Sequence, residues 1–464
     1  MSSGIKVGLS KVEITPPLTV PMAGFAARTL PATGVHDPLY ARALVVSDVE
    51  PAGVTTVLVV LDVVSIPPGL ASEIRHRIET ELGVPTSAVM VATIHTHGGP
   101  ATDERGNESV EIRDYATTLC QRAVSSAVAA AQNLTPARMV LNFGDEPTVG
   151  KNRRRPGGVI DPTVQTVRIE DSSGKVVGML CSYACHPVTL GPDNRLITAD
   201  YPGAVVRALE ATYPDAIALF ATGCAGQINT GHRAEDSFST QPSDVRTFAE
   251  MTRLGRAIAG AAIQASEHAA GPRGTPSATA PANNGRPQVN AVTVSVEAPW
   301  LPVDEPDAFR AKALAWRGEA ASTGTGPGTS TDTAAAERDR LLRSAAWAER
   351  TAASAPHPRG VALDVTGMRW GDIVVVGLPG EPFVEFALDI RRRSAPNVVV
   401  IGYANGVPGY VPHRSAYPEG GYEVMQAHIG YGAPAAFAPE AGELLVEAAL
   451  QAIAALERQE RNEK

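Results

Sequence analysis

Two histidines one residue apart stand in TIHTHGGPA, residues 93–101, where an apolar run ends in a glycine-rich turn. The preceding run AVMVATI, residues 88–94, is apolar and β-branched and predicts a strand. Side chains alternate between the faces of a strand, so His95 and His97 are expected to point the same way, into the pocket that the turn opens. Such a pair can bind one metal ion, although an isolated pair is equally consistent with ordinary hydrogen bonding.

A third histidine and a glutamate occupy similar places in the sequence. His186 follows the apolar run 179–184 and precedes a loop that contains proline and glycine. Glu381 lies in LPGEP, residues 378–382, where a strand pattern gives way to a helix pattern. It is interpreted either as a carboxylate at a helix N-terminus or as a ligand facing the same rim. Two histidines and one carboxylate, with a position open for water, form the donor set of many catalytic zinc sites.

Other strand patterns end in polar or glycine-rich turns. FATGCAGQIN, residues 220–229, would bring backbone N–H groups and an amide side chain against a substrate, which makes Gly226 and Asn229 candidate substrate-binding residues. Asp62 is interpreted either as a buried structural carboxylate or as a group that orients a ligand or binds a second cation. Asp200 precedes a helix pattern, and capping that helix is favoured over holding a metal-ligating histidine.

Composition restricts the class of partner. The chain has 464 residues, of which 44% are hydrophobic and 19% charged, and its formal net charge is -9. These values argue against binding to nucleic acid or to an anionic membrane, so a small molecule is the expected partner. No apolar run reaches the roughly 18 residues of a membrane span, and the N-terminus lacks a secretion signal. We therefore expect a cytoplasmic location, no stable membrane association, and reduced, mostly buried cysteines.

The hydrophobic pattern predicts an α/β fold in which helices cover mixed β-sheets. Strands are predicted at residues 42–49, 55–64, 88–94, 139–143, 164–169, 176–183, 217–221, 361–368, 373–378 and 398–403, and helices at 71–82, 110–132, 383–392 and 439–458. Residues 265–290, rich in Gly, Pro, Ala and Ser, predict a surface excursion. Residues 307–321 and 333–353 predict a helical hairpin. We interpret it as an insertion at 305–355, either a lid, a dimer contact or decoration, within a single domain that spans residues 1–464.

Taken in order, these motifs resemble the catalytic domain of the neutral (non-lysosomal) ceramidases. The resemblance is carried by GVHDPLYARALVV, by ATIHTHGGP, by the strand ending in His186, by LPGEP and by the loop NGVPGY with the later GGYE. It covers most of the chain outside residues 265–355. It implies a ceramidase-like metallohydrolase fold and one Zn2+ per chain, bound by His95, His186, Glu381 and Tyr410.

The resemblance also implies three partners for the chemistry. His97, Arg153 and Tyr422 match residues that lie close to the metal-bound water in that family, so they would act as acid, base and oxyanion partners. Arg153 adjoins two further arginines, and a run of arginines is often a solvated face. Its position directly after Asn152 favours a functional role.

The chain departs from the family in one motif. Ceramidases carry a serine in a Gly-Asp-x-Ser-Pro-Asn stretch, whereas residues 226–231 read GQINTG. A covalent serine intermediate is therefore disfavoured. No segment is expected to form the C-terminal β-sandwich domain of ceramidases, which favours a smaller and more soluble substrate than a two-chain lipid.

The function expected from these residues is that of a zinc-dependent amidohydrolase. It would cleave a carboxamide C–N bond of a small or N-acylated substrate through a metal-bound hydroxide. One alternative is a zinc-dependent esterase or lactonase, because a metal hydroxide attacks esters more easily than amides. The other is a non-catalytic binding protein on the same scaffold, which the missing serine suggests.

Overall fold

The computed structural model describes residues 4–48, 53–103, 109–270, 289–323 and 331–458. Its strands are β1 Ile5–Glu13, β2 Gly34–Val35, β3 Tyr40–Asp48, β4 Thr55–Leu61, β5 Val89–Thr93, β6 Thr135–Asp145, β7 Lys151–Asn152, β8 Thr163–Asp171, β9 Val176–Tyr183, β10 Leu196–Ile197, β11 Ile217–Thr222, β12 Ile228–Asn229, β13 Val289–Pro299, β14 Gly360–Trp370, β15 Ile373–Gly377, β16 Glu381–Pro382, β17 Val398–Ile401 and β18 Tyr410–Val411. Its α-helices are α1 Pro68–Leu82, α2 Val110–Gln132, α3 Asp200–Thr212, α4 Phe248–Ala270, α5 Pro306–Ser322, α6 Thr331–Ala353, α7 Val384–Arg393, α8 Tyr422–Met425, α9 Ala427–Tyr431 and α10 Glu440–Arg458.

Two mixed sheets organise the described chain. The larger has eight strands in the order β11-β9-β8-β6-β1-β3-β4-β5, in which β11/β9 and β4/β5 are parallel pairs and the other neighbours are antiparallel. The smaller has the order β13-β14-β15-β17, with β15/β17 parallel. This arrangement confirms the predicted α/β class with mixed sheets. The carboxyl ends of parallel strands are where open α/β sheets bind their ligands.

The two sheets pack together beside β4 and β5. These strands are buried along almost their whole length, which explains their continuous apolar sequence. The indole N–H of Trp370 donates to Thr56 Oγ1 at 2.9 Å. At Gly377 an added Cβ would lie 2.6 Å from the sulfur of Met90, so glycine permits the close approach. The ends of strands from both sheets are thereby brought to one place.

A buried asparagine fastens the loop after β17 to both sheets. Asn405 adopts a left-handed backbone conformation (φ 54°), which asparagine tolerates better than most residues. Its side-chain oxygen accepts from the Val91 N–H at 3.1 Å, and its amide donates to the Asp364 carbonyl at 3.1 Å and to Thr366 Oγ1 at 2.9 Å. The loop that carries Tyr410 is thus held against β5.

Replacing Asn405 should therefore destabilise the fold. Asn405→Ala removes three hydrogen bonds, leaves the buried Val91 N–H without an acceptor and strains the backbone, so we expect a loss of about 3 kcal/mol in the free energy of unfolding. Urea unfolding measures this. Asn405→Gly relieves the backbone strain and should be less destabilising than alanine. A loss below about 1 kcal/mol, the value of one typical hydrogen bond, would contradict this account of the loop.

The predicted helical hairpin is present as α5 and α6. Its contact surface contains Phe309 and Trp347, whose ring centroids lie 5.5 Å apart. The Trp347 indole N–H donates to the Ala433 carbonyl at 3.1 Å, which ties the hairpin to the main body. Arg343 of α6 also donates to the Ala26 carbonyl at 2.8 Å. The single-domain division and the role of this hairpin remain predictions.

Some elements differ from the sequence-based expectation. Strands β1 and β13 and helix α4 were not predicted. The surface excursion expected at residues 265–290 is wrong up to Ala270, because α4 continues to that residue through an alanine-rich sequence with high helix propensity. The prediction is also wrong at residues 289 and 290, which begin β13, and residues 271–288 lie outside the described residues. All four cysteines, Cys120, Cys181, Cys185 and Cys224, are free and buried as expected. In the described ranges no helix combines the length and the apolar character needed to cross a bilayer.

Candidate metal centre and active-site cleft

His95 reaches the site through a left-handed backbone turn. Strand β5 ends at Thr93, and His95 has φ 66°, so the strand alternation predicted for residues 95 and 97 is wrong. The two imidazoles nevertheless converge, with the Nε2 atoms of His95 and His97 3.4 Å apart. A left-handed backbone at a non-glycine residue costs about 1 to 3 kcal/mol and is concentrated at functional sites.

Backbone carbonyls fix the orientation of both buried histidines. His95 Nδ1 lies 2.6 Å from the Val64 carbonyl oxygen. His186, which follows β9, has its Nδ1 2.6 Å from the Ala225 oxygen and 3.1 Å from the Ile228 oxygen. A carbonyl only accepts hydrogen bonds, so Nδ1 carries the proton and each Nε2 presents a lone pair inward. Burial lowers the pKa of His186 to about 4, which keeps this imidazole neutral at pH 7.

A short parallel ladder brings the carboxylate and the phenol to the histidines. Strands β16 and β18 pair Glu381 directly with Tyr410. Glu381 Oε2 lies 3.1 Å from His95 Nε2 and 2.9 Å from His186 Nε2. The Tyr410 hydroxyl lies 3.2 Å from His186 Nε2. The four residues suggested as ligands by their sequence motifs are therefore neighbours in the structure.

This donor set fits a divalent cation. Both imidazoles direct their Nε2 atoms at one carboxylate oxygen, so a cation between them would be held by two nitrogens and one oxygen. Glu381 is only 1% exposed, and among the described residues no lysine or arginine forms an ion pair with it. A buried carboxylate without a counter-charge is costly. Nitrogen and oxygen donors of this kind suit Zn2+.

His97 offers a second way to complete the site. One nitrogen from each of His95, His97 and His186 can be chosen so that all three lie within 4.8 Å of one another. His97 Nδ1 is buried and has no hydrogen-bond partner among the described residues. The two donor sets share His95 and His186 and differ in whether Glu381 or His97 completes them. The carboxylate has the shorter contacts and supplies the charge that a cation requires.

Arg153 lies beside the phenol of this cluster. Its Nη2 donates to the Tyr410 hydroxyl at 3.1 Å and to the Gly226 carbonyl at 2.9 Å. Its Nε donates to Glu423 Oε1 at 2.8 Å. The next arginine, Arg154, pairs with the other oxygen of Glu423 at 2.6 Å. The run of arginines thus contains one member, the one suggested by the sequence, that contacts the candidate metal ligands.

Comparison with known proteins agrees with this geometry. Residues 5–229 match the family described as "Neutral/alkaline non-lysosomal ceramidase, N-terminal". Over this segment the chain is similar to the neutral ceramidases. It is 25% identical to the neutral ceramidase of Drosophila melanogaster over 234 residues, which cover 46% of this chain and 33% of that protein. It is 24% identical to the neutral ceramidase of Mycobacterium tuberculosis over 464 residues, covering 87% of this chain and 70% of that protein.

The fold of the chain also matches a solved structure. The neutral ceramidase from Pseudomonas aeruginosa superposes with a TM-score of 0.71 at 21% identity, covering 99% of this chain and 75% of that one. This similarity establishes a shared fold. The matched segment spans about a third of the first curated relatives, 33% of the Drosophila protein and 29% of neutral ceramidase 1 from Arabidopsis thaliana.

The other residues that the sequence suggested lie in or beside the cleft. Tyr422 begins α8, and its ring centroid lies 5.8 Å from that of Tyr410. At Gly226 an added Cβ would lie 2.7 Å from the Glu381 carbonyl oxygen, so glycine allows this close packing. The Asn229 side chain hydrogen-bonds within its own turn, donating to the His232 carbonyl at 2.6 Å. Substrate binding by Gly226 and Asn229 remains a prediction.

Two tyrosines in contact with Glu381 were not singled out from the sequence. The Tyr431 hydroxyl donates to Glu381 Oε1. The Tyr403 hydroxyl lies 3.4 Å from Glu381 Oε2, and its ring centroid is 4.3 Å from that of His95. Tyr403 also adopts a left-handed backbone conformation (φ 56°). The density of tyrosine between residues 403 and 431 was the available signal, but it does not indicate which rings turn inward.

The two aspartates considered from the sequence bond to backbone groups. Asp62 Oδ2 accepts from the Tyr40 N–H at 2.8 Å, and burial raises the pKa of this carboxyl to about 6. Asp200 is the first residue of α3, and its Oδ1 accepts from the Tyr201 N–H at 2.6 Å; the N-cap is Ala199, without a side-chain cap, so the capping role predicted for Asp200 is wrong. These contacts favour structural roles for both. A second cation near Asp62 remains untested.

Replacing the guanidinium of Arg153 by an ammonium group should lower kcat without releasing the metal. Arg153→Lys keeps the charge, but an ammonium cannot reproduce the planar contacts to Tyr410, Gly226 and Glu423. We expect kcat to fall by about 10²-fold to 10³-fold, with zinc content unchanged. Steady-state kinetics together with elemental mass spectrometry measure both. Arg155→Lys, at a guanidinium 59% exposed, is the matched control. If Arg153→Lys kept the parental kcat, Arg153 would have no role in catalysis.

Proposed function

We propose that this chain is a zinc-dependent hydrolase that cleaves a carboxamide C–N bond. The observation that carries the proposal is the convergence of His95 Nε2 and His186 Nε2 on Glu381 Oε2 in a buried site. His97 and Arg153 lie beside this cluster, where they can act on a bound substrate. The relatives named neutral ceramidases support an amide as the scissile group.

The residues proposed to hold the zinc are His95, His186, Glu381 and Tyr410. When bound, the metal would polarise a substrate carbonyl and lower the pKa of a water toward about 7. The Nδ1 hydrogen bonds of the two histidines to backbone carbonyls keep their Nε2 atoms directed at this position before anything binds. Such preorganisation limits the conformational cost of holding a cation.

Three residues around this position are proposed to transfer protons and to stabilise charge. Burial lowers the pKa of His97 well below its ordinary value, so its imidazole is neutral and can accept a proton from the attacking water. The protonated imidazole can then return that proton to the leaving nitrogen. The Arg153 guanidinium and the Tyr422 hydroxyl would stabilise negative charge on the carbonyl oxygen.

The cleft favours a small or N-acylated amide over a bulky lipid. His97, Arg153, Tyr410 and Tyr422 share its wall. Most other lining groups are small or polar, with Val188 the largest aliphatic one. Such a wall offers little apolar area to bury a long hydrocarbon chain.

Metal analysis and a substrate panel test the proposal together. Purified chain should contain about one zinc, and a His95→Ala, His186→Ala double variant should contain none while remaining folded. His76→Ala, at a histidine 74% exposed on α1, should retain the parental zinc content. Matched N-acyl amides and esters then identify the scissile bond. Hydrolysis of esters alone would replace the amidase assignment with an esterase, and a folded parent that takes up no zinc would reject the mechanism.

A further inference from the structure

Arg28, near the cleft, is buried without a carboxylate partner. Its Nη2 donates to the carbonyl oxygens of Ala23 and His97, the latter at 2.6 Å, and its Nη1 donates to that of Asn194 at 3.2 Å. Its Nε has no acceptor among the described residues. Burial lowers the pKa of Arg28 to about 10, the direction expected for a guanidinium that lacks a close counter-charge.

Arg246 is a second guanidinium of this kind, and it lines the cleft. Its Nη2 donates to the carbonyl oxygens of Val188 at 3.0 Å and Leu190 at 3.2 Å. Within the part of the chain that the structure describes, its Nη1 has no hydrogen-bond acceptor and the side chain makes no ion pair. The Nη2 of this guanidinium is therefore held by backbone, whereas its Nη1 is available to a ligand.

A single aromatic ring links both arginines to the candidate active site. The guanidinium of Arg28 lies 5.1 Å from the ring centroid of Phe25, and that of Arg246 lies 5.6 Å from it. The Phe25 ring is 4.9 Å from that of His97. Two positive charges are thus one aromatic ring away from the proposed proton acceptor.

These arginines differ from others in a chain of net charge -9. Buried or half-buried arginines elsewhere contact carboxylates at 2.6 to 2.8 Å, among them Arg153, Arg168 and Arg391. Asp236, Asp193 and Asp200 raise the pKa of Arg246 through space, and Asp193 also raises that of Arg28, but none of these acids forms an ion pair with either arginine. Leaving buried positive charge uncompensated is costly, so an anionic ligand would offset that cost.

We propose that the cleft binds amides that carry a carboxylate, of the N-acyl amino acid class, and that Arg246 pairs with this carboxylate. This inference rests on the proposed function, because it takes the amide as the scissile group. The Nη1–H group of Arg246 can donate a charge-assisted hydrogen bond to a carboxylate, and the polar cleft suits a small anion. Arg28 adds positive potential from behind Phe25.

The test compares N-hexanoylalanine with its neutral counterpart N-hexanoylalaninamide. Calorimetric titration measures the Kd of each, and hexanoate release measures kcat/KM for the same bond in both. The wild-type chain should prefer the carboxylate form by about 10-fold to 100-fold, the value of a charge-assisted hydrogen bond in a half-buried site. Arg246→Met keeps the aliphatic part of the side chain beside Phe25. It should bring the ratio of the two Kd values close to one.

Two further variants keep the test decisive. Arg253→Met removes an arginine of α4 that already has its own partner, Glu250, and should keep the full preference. If Arg246→Met fails to fold, Arg246→Lys can replace it, because lysine keeps the charge but lacks the guanidinium. Its preference for the carboxylate ligand should be weaker than that of the wild-type chain.

The outcomes separate this inference from the proposed function. Equal Kd values for the two ligands in the wild-type chain would overturn the inference, whether or not either compound is hydrolysed. A preference that persists in Arg246→Met would overturn the assignment to this residue. A carboxylate preference in binding without hexanoate release would leave the anion site standing and reject amide hydrolysis.

Discussion

A Glu381→Gln variant should bind zinc at least about 100-fold more weakly than the parent chain and lose hydrolytic activity to a similar degree. The substitution keeps the size of the side chain and an oxygen that can accept from Tyr431. It removes the charge that lies 3.1 Å from His95 Nε2 and 2.9 Å from His186 Nε2. Any change in zinc affinity in this variant therefore results from the lost charge and not from a lost volume.

Competition with a fluorescent zinc chelator measures this affinity, and thermal unfolding of the metal-free protein checks the fold. Glu447→Gln, at a carboxylate 54% exposed on α10, is the matched control and should bind zinc like the parent. In metal-free protein Glu381→Gln should remain folded, because it keeps the size of the side chain. Parental zinc affinity in this variant would show that Glu381 is not a ligand.

Replacing His97 should separate catalysis from metal binding. His97→Ala is expected to lower kcat by about 10²-fold to 10⁴-fold, the usual contribution of a general acid or base. Zinc should remain, because His95, His186 and Glu381 make their close contacts without this imidazole. Metal content and turnover, measured on the same preparation, test both halves of the expectation.

The same variant distinguishes the two donor sets. If His97 completed a site of three histidines, His97→Ala would lose zinc together with activity, and Glu381→Gln would keep it. His76→Ala should change neither quantity. Parental kcat in His97→Ala would exclude this residue from proton transfer and leave another group to be found.

Much of the secondary structure could be predicted because it depends on local patterns. Helix α2, residues 110–132, and strand β9, residues 176–183, begin and end where their hydrophobic periodicity predicted. The excursion predicted up to residue 290 failed at Ala270 because composition alone does not separate an alanine-rich helix from a loop. Strands β1 and β13 were overlooked since each owes its place to a partner far along the chain.

The sequence by itself determined the kinds of donor and their places at strand ends, since His95, His186 and Glu381 all follow apolar runs that pack as strands. Only the tertiary structure decided that they meet, because β5, β9 and β16 are far apart in the chain and their approach depends on sheet pairing. It also decided their orientation, through the left-handed turn at His95 and through carbonyls that hold each Nδ1. The sequence also did not indicate that Arg246 lacks an ion-pair partner among the described residues. Ion pairing of an arginine depends on its distance from carboxylates in remote segments of the chain.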